Sequence, residues 1–257
     1  PAPVGGVGFP SIPPSLAPGM FDGVKVPPGY TARILSSWGD PIGHVSGSPQ
    51  LDPSEPQTEA NQLKQDGMNH DGIHFFPFPT TGAGGVSSER GLLVTNHEYT
   101  DEGLLHDELN SGSAPQTLAR ARASQAAHGV SVKEVRKVAG LWAVVRPSPL
   151  ARRVTSNTPM TISGPAAGHA LMKTSYTDEN GTPAGDPTGM NVRGTVNNCA
   201  HGHTPWGTYL TCEENWNGNF GTVLPFTANG IERRYAVSAT GAGSRWYETR
   251  PPLDGPK

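Results

Sequence analysis

One stretch of this chain occurs twice. Gly91-Leu-Leu-Val-Thr-Asn-His-Glu98 aligns with Gly207-Thr-Tyr-Leu-Thr-Cys-Glu-Glu214: a glycine, a short apolar strand, a threonine, two variable residues, then a glutamate. Each copy follows an earlier strand by way of a Gly-containing loop. The copies lie 116 residues apart, too far for neighbouring minimal hairpins but suited to propeller blades carrying insertions. Composition points the same way. With 33 glycines and 26 prolines in 257 residues, the chain is punctuated for many short strands and tight turns, not for long helices. The expected fold is mainly β and β-propeller-like, with an insertion-bearing β-sandwich as the alternative.

Along the chain, Val26–Leu35 reads as a turn followed by a strand, closed by Trp38-Gly-Asp-Pro-Ile42. Residues 44–65 are polar and rich in Ser, Pro and Gln, the composition of a long surface loop. Ile73–Phe78 and Gly91–Thr95 read as paired strands. One helix is expected over 115–128, where strong helix formers run up to a stop at Gly129. Val130–Val135 with Val138–Val145 reads as a hairpin. Gly194–Cys199 with Trp206–Cys212 reads as another, around the loop Ala200–Pro205, and Glu232–Ser238 as a late strand. Residues 1–25 form the expected flexible N-terminal segment of a mature chain, and 26–257 the propeller part.

A net charge of −3, with no polybasic block, argues against nucleic acid or anionic membrane as partner. No apolar run reaches the roughly 18 residues of a membrane span.

In a propeller, equivalent strand ends of different blades meet near the axis. Glu98 and Glu214 are such a pair, although most glutamates at such positions are solvated turn residues. Converging carboxylates repel unless a cation sits between them, and calcium or another hard cation suits them. In the expected hairpin Cys199 lies opposite Trp206, so Cys212 is roughly 20 Å away at the usual strand rise. That is too far for a disulfide. Cys199, near His201 and His203, could instead bind a transition metal or be a free buried thiol. His70, Asp71 and His74 have metal-compatible spacing, though turn chemistry explains Asn69, Asp71 and Gly72 equally well. His128 reads as a helix-end residue.

Several stretches resemble the PhoX-type alkaline phosphatases, exported bacterial enzymes of the twin-arginine route. They are Val26-Pro-Pro-Gly-Tyr-Thr with Trp38-Gly-Asp-Pro, Asn69-His-Asp-Gly-Ile-His-Phe-Phe-Pro77, Leu93-Val-Thr-Asn-His-Glu-Tyr99 and Ala126-Ala-His-Gly-Val-Ser-Val132. The longest is Val196-Asn-Asn-Cys-Ala-His-Gly-His-Thr-Pro-Trp-Gly-Thr-Tyr-Leu-Thr-Cys-Glu-Glu-Asn215. The resemblance implies a six-bladed propeller, an iron–calcium cofactor with a bridging oxide, and hydrolysis of phosphate monoesters by a metal-held oxygen. On that analogy Cys199 would ligate iron and Glu214 would supply carboxylate oxygens. Glu98 and Glu213 are further ligand candidates, followed by Asp71 and His70; no catalytic side chain is named.

The resemblance also implies a periplasmic or secreted location. Family members are roughly twice this length, so the chain is expected to provide about the N-terminal half of the propeller, completed by a second polypeptide. Two other readings stand beside it: a calcium-centred propeller hydrolase of another class (phosphodiesterase, phytase or lactonase), and a non-catalytic calcium-stabilised binding module. Neither needs Cys199 or iron.

Overall fold

The structure is a computed structural model that describes residues 8–13, 23–44, 46–82, 84–106, 117–175, 182–220, 227–237 and 244–249. Much of the 1–25 segment and the final stretch 250–257 therefore lie outside the described residues. Two compact units are distinguished, 1–35 and 36–257. In the first, the expected turn is present, with Tyr30 N donating to Pro27 O at 3.0 Å and Phe9 edge-on to Tyr30. The expected strand over Val26–Leu35 is not formed. Strands persist only when paired, and this segment is largely exposed without a ladder partner among the described residues.

The second unit is built on a five-stranded antiparallel sheet. Strand β1 (His70–Pro79) pairs with β2 (Val86–His97), and β2 with β3 (Gly129–Val138). The far edge of β3 is shared by β4 (Leu141–Val144) and β5 (Arg152–Val154). Two smaller hairpins follow: β6 (Pro159–Thr161) with β7 (Asn191–Arg193), and β8 (Asn198–His203) with β9 (Tyr209–Glu213).

Alternation along β2 and β3 sets two faces. Val94, Val130 and Val132 form an apolar cluster against Phe76, Leu92, Val154 and Tyr209, so the β8–β9 hairpin covers this side. On the opposite side lie Thr95, His97, Ser131 and Lys133, each at most 1% exposed.

Short helices α1 (Glu59–Gln62) and α2 (Glu102–Leu105) flank the longer α3 (Leu118–Ala127). The hydroxyl of Thr117 caps α3 by accepting from Arg120 N. Its buried residues are Ala121, Ala123, Ser124, Ala126 and Ala127, small enough for close approach. The expected helix is thus present, ending with His128 as its C-cap; Pro115 and Gln116 lie outside the described residues.

Three further expectations change. The 44–65 segment is not simply a surface loop, because Gln62 and Gln65 are buried. Gln62 accepts from Trp38 Nε1 at 3.1 Å and donates to Gln65 Oε1 at 3.0 Å. Glu232–Ser238 is not a strand. Gly230–Arg234 forms helix α4, because Asn229 and Glu232 make a capping box, each side chain accepting from the other's backbone N–H; Ser238 lies outside the described residues. The last hairpin turns at Thr204–Gly207, with Gly207 N donating to Thr204 O at 3.0 Å, so residues expected as loop are strand β8.

Candidate metal centre

The hairpin shift changes the cysteine geometry. Asn198 pairs with Glu213 and His201 with Thr211, so Cys199 and Ala200 together face Cys212 across a bulge. The cysteines are neighbours in register, not about 20 Å apart, yet both are free. Cys212 follows Thr211 onto the opposite face and is exposed, whereas the bulge leaves Cys199 partly buried.

Cys199 is brought to the ends of β1 and β2. Ligand atoms of Asp71, Glu98 and Cys199 lie within 4.8 Å of one another, and Glu214 also reaches the thiol. Burial, a hydrogen bond shared with Asp71 and the charges of Asp71 and Glu214 raise the Glu98 carboxyl above its ordinary pKa. Hydrogen bonds to Glu214 and Asp71, with burial and their negative charge, push the Cys199 thiol up to about 12. Among the described residues, no lysine or arginine charge contributes to either shift. Glu98 and Glu214, the equivalent positions of the repeat, therefore do converge.

The other named residues divide. Glu213 points away, accepting from Thr195 Oγ1 at 2.8 Å and from Val196 N at 3.1 Å. His70 turns to a second group, Asp66–His70–His97. There Asp66 already accepts from Lys133 Nζ and Ser131 Oγ. Burial would raise the Asp66 carboxyl, but His97, Lys133 and His70 together hold it well below its ordinary value. Burial, reinforced by the charge of Arg153, lowers His97 to about 3, so its imidazole is neutral. With an ammonium on its carboxylate, this second group has no need of a metal ion. His74 joins neither group and stacks on His203, ring centroids 3.9 Å apart.

A residue that spacing gave no reason to single out holds the first cluster's frame. Asn96, fully buried, donates to Cys199 O at 2.8 Å and accepts from Tyr209 Oη at 2.9 Å and Thr211 Oγ1 at 3.0 Å. It ties the Cys199 hairpin to β2. Gly72 makes the approach possible, since a Cβ there would meet His201 Nδ1 at 2.7 Å and Asn96 Nδ2 at 2.8 Å. Only its position beside His97 and Glu98 in a repeated motif could have pointed to Asn96.

Beside the cluster opens a polar hollow of about 460 Å³, lined by Tyr99, Glu102, His128, Asn197, Asn215 and Asn219 among others. Asn215 Nδ2 donates to Glu214 Oε1 at 3.3 Å. No helix among the described residues is long and apolar enough to cross a membrane.

Comparison with known proteins adds family evidence. A sequence model described as alkaline phosphatase PhoX matches residues 7–250. No curated protein matches. Among solved structures, the chain is similar to Pseudomonas fluorescens PhoX in complex with vanadate, a transition state analogue, at 40% identity and a TM-score of 0.74. The match covers 89% of this chain and 36% of that one, so the chain spans about a third of its length. The mainly β, antiparallel, propeller-type architecture is borne out by this likeness.

Proposed function

This chain belongs to the PhoX alkaline phosphatase family, and from that premise we propose that it supplies metal-binding residues to a site that hydrolyses phosphate monoesters. The observation that carries the reading is the convergence of Asp71, Glu98, Cys199 and Glu214, acidic donors from separate strand ends. The donor set fits metal binding. The Glu98 carboxyl is raised by burial and acidic neighbours and the Cys199 thiol by acidic neighbours, with no cation among the described residues contributing. A thiolate among carboxylates suits iron beside a harder ion such as calcium. Asp71, Glu98, Cys199 and Glu214 would hold the metals, which as Lewis acids would neutralise phosphate oxygens.

The chain's own residues do the rest. Asn96 and Tyr209 hold the hairpin so that Cys199 faces the carboxylates. Glu213 keeps that hairpin in register through Thr195 and Val196. The hollow lined by Tyr99 and the asparagines offers neutral donors beside the cluster, room for the organic part of a phosphoester. The vanadate complex of the relative supports a phosphoryl-transfer reading. Polypeptide corresponding to the relative's remaining length would complete the propeller, and the family resemblance supports a location outside the cytoplasm.

The test is hydrolysis of p-nitrophenyl phosphate by the metal-loaded protein, with whatever polypeptide co-purifies. Wild-type turnover that falls at least about 100-fold in Glu98→Gln and Cys199→Ser is expected. Equal turnover in the two variants and the wild type would remove these residues from the site.

A further inference from the structure

We propose that Asp66 is the positioning residue for Asp71 and Glu98, an inference that rests on the metal reading above. Its carboxylate holds strands β2 and β3 and lies beside β1. Oδ1 accepts from Ser131 Oγ at 2.7 Å and lies 3.3 Å from His97 Nε2. Oδ2 accepts from Ser36 Oγ and Lys133 Nζ and lies 3.9 Å from His70 Nε2. Asp66, His97, Ser131 and Lys133 are each at most 1% exposed. One side chain thus ties the end of β2 to the middle of β3, with His70 at the start of β1 beside it.

His70 and His97 are register partners, with rings edge-on at 4.9 Å. The donors are their immediate neighbours in the chain: Asp71 follows His70, and Glu98 follows His97. In each pair the histidine goes to Asp66 and the acid to Cys199, so moving either imidazole carries a donor with it. The backbone between is pinned as well. Glu98 N donates to Asn69 O at 3.0 Å, and Asn69, at φ 44°, donates from Nδ2 to Tyr99 O at 2.8 Å. Gly67 lets the chain pass this closely, since a Cβ there would lie 2.3 Å from Ala127 O and 2.6 Å from His97 Cγ.

Metal sites lose affinity when the groups that orient their ligands are removed, typically 10–100-fold. A bond network serving only the fold would lower stability without that loss. Glu134 is the internal control. It too is a buried carboxylate on β3 with two partners, exposed Arg90 and buried Ser148, but none of its partners adjoins Asp71 or Glu98 in sequence.

The experiment titrates the full chain with Tb³⁺, a hard cation that takes calcium-like oxygen ligands. Affinity, luminescence lifetime and the Tm of the metal-free protein are read for wild type, Asp66→Asn and Glu134→Gln. Asp66→Asn is expected to weaken binding about 10–100-fold and to shorten the lifetime, as water replaces a displaced carboxylate oxygen. Glu134→Gln is expected to lower Tm while affinity and lifetime stay at wild-type values. Equal affinity in the two variants at similar Tm overturns the inference. If Asp66→Asn does not fold, the double variant Asp66→Asn/Lys133→Met, which strands no buried charge, must show the same weakening and lifetime change. Failure of the underlying reading has its own signature: Tb³⁺ bound equally by Glu98→Gln and wild type, or not bound by wild type at all.

Discussion

Two groups of ligand-type side chains lie at one end of the main sheet, and they handle carboxylate charge differently. Asp66 itself is fully buried, and its carboxylate is matched within the chain by Lys133 and two serine hydroxyls. Around Asp71, burial is partial and the neighbours are acids and a thiol, so the Glu98 carboxyl is raised and the Cys199 thiol is pushed up to about 12. A carboxylate satisfied by its own fold is a structural part. A group of acids left with only each other is, on the proposed reading, a receptor for a cation. Proximity of ligand-type atoms does not separate the two; the presence of an internal cation does.

The contrast can be broken most forcefully at Lys133. Lys133→Met leaves Asp66 buried without its charge partner and should cost about 3–5 kcal/mol in denaturant unfolding. Adding Asp66→Asn should recover part of that loss, because no ion is then stranded. A strictly additive double variant would mean the two residues do not act as a pair.

Acid and base should separate the clusters next. The Asp66 pKa is depressed in the fold, so its stabilisation is present above the ordinary value of 3.8 and is lost as pH falls through the lower folded value. The Glu98 pKa is raised, so its contribution is present below its ordinary value of 4.5 and is lost as pH rises through the folded one. Metal-free protein should therefore lose stability at both ends. Calcium should flatten only the upper limb in a Tm-against-pH series, and flattening of the acid limb instead would assign the metal to the wrong cluster.

A smaller effect is expected where the hairpin meets the sheet. Tyr209→Phe removes the hydroxyl shared with Asn96 and Gly72 and should cost about 1 kcal/mol. Smallest of all is Cys199→Ser in the metal-free chain, within about 0.5 kcal/mol, because this partly exposed thiol supports a ligand site and not the core. A loss of several kcal/mol there would make Cys199 a packing residue.

The convergence of Asp71, Glu98 and Cys199 was legible in the sequence because repetition and motif exposed it. Glu98 and Glu214 occupy equivalent positions of a repeated strand, and Asp71 and Cys199 stand in family-like stretches. The satisfied cluster was not legible. Val130-Ser-Val-Lys-Glu-Val135 alternates as a half-solvated strand does, yet Ser131 and Lys133 are buried because Asp66 covers that face. That contact joins residues 65 positions apart and leaves no local periodicity. The hairpin register was misread for a related reason. His201 and His203 look like loop residues, but a tight Thr204–Gly207 turn and a bulge at Cys199 put them on β8. Likewise the Asn229–Glu232 capping box turned an expected strand into a helix.

The central claim is that Asp71, Glu98, Cys199 and Glu214 hold metal, and elemental analysis of the purified wild-type protein and Cys199→Ser tests it most directly. The account predicts iron and calcium in near-integer ratio to the wild-type protein, with iron lost from the serine variant. Wild-type protein without metal, or a serine variant with the full complement of both, would contradict it.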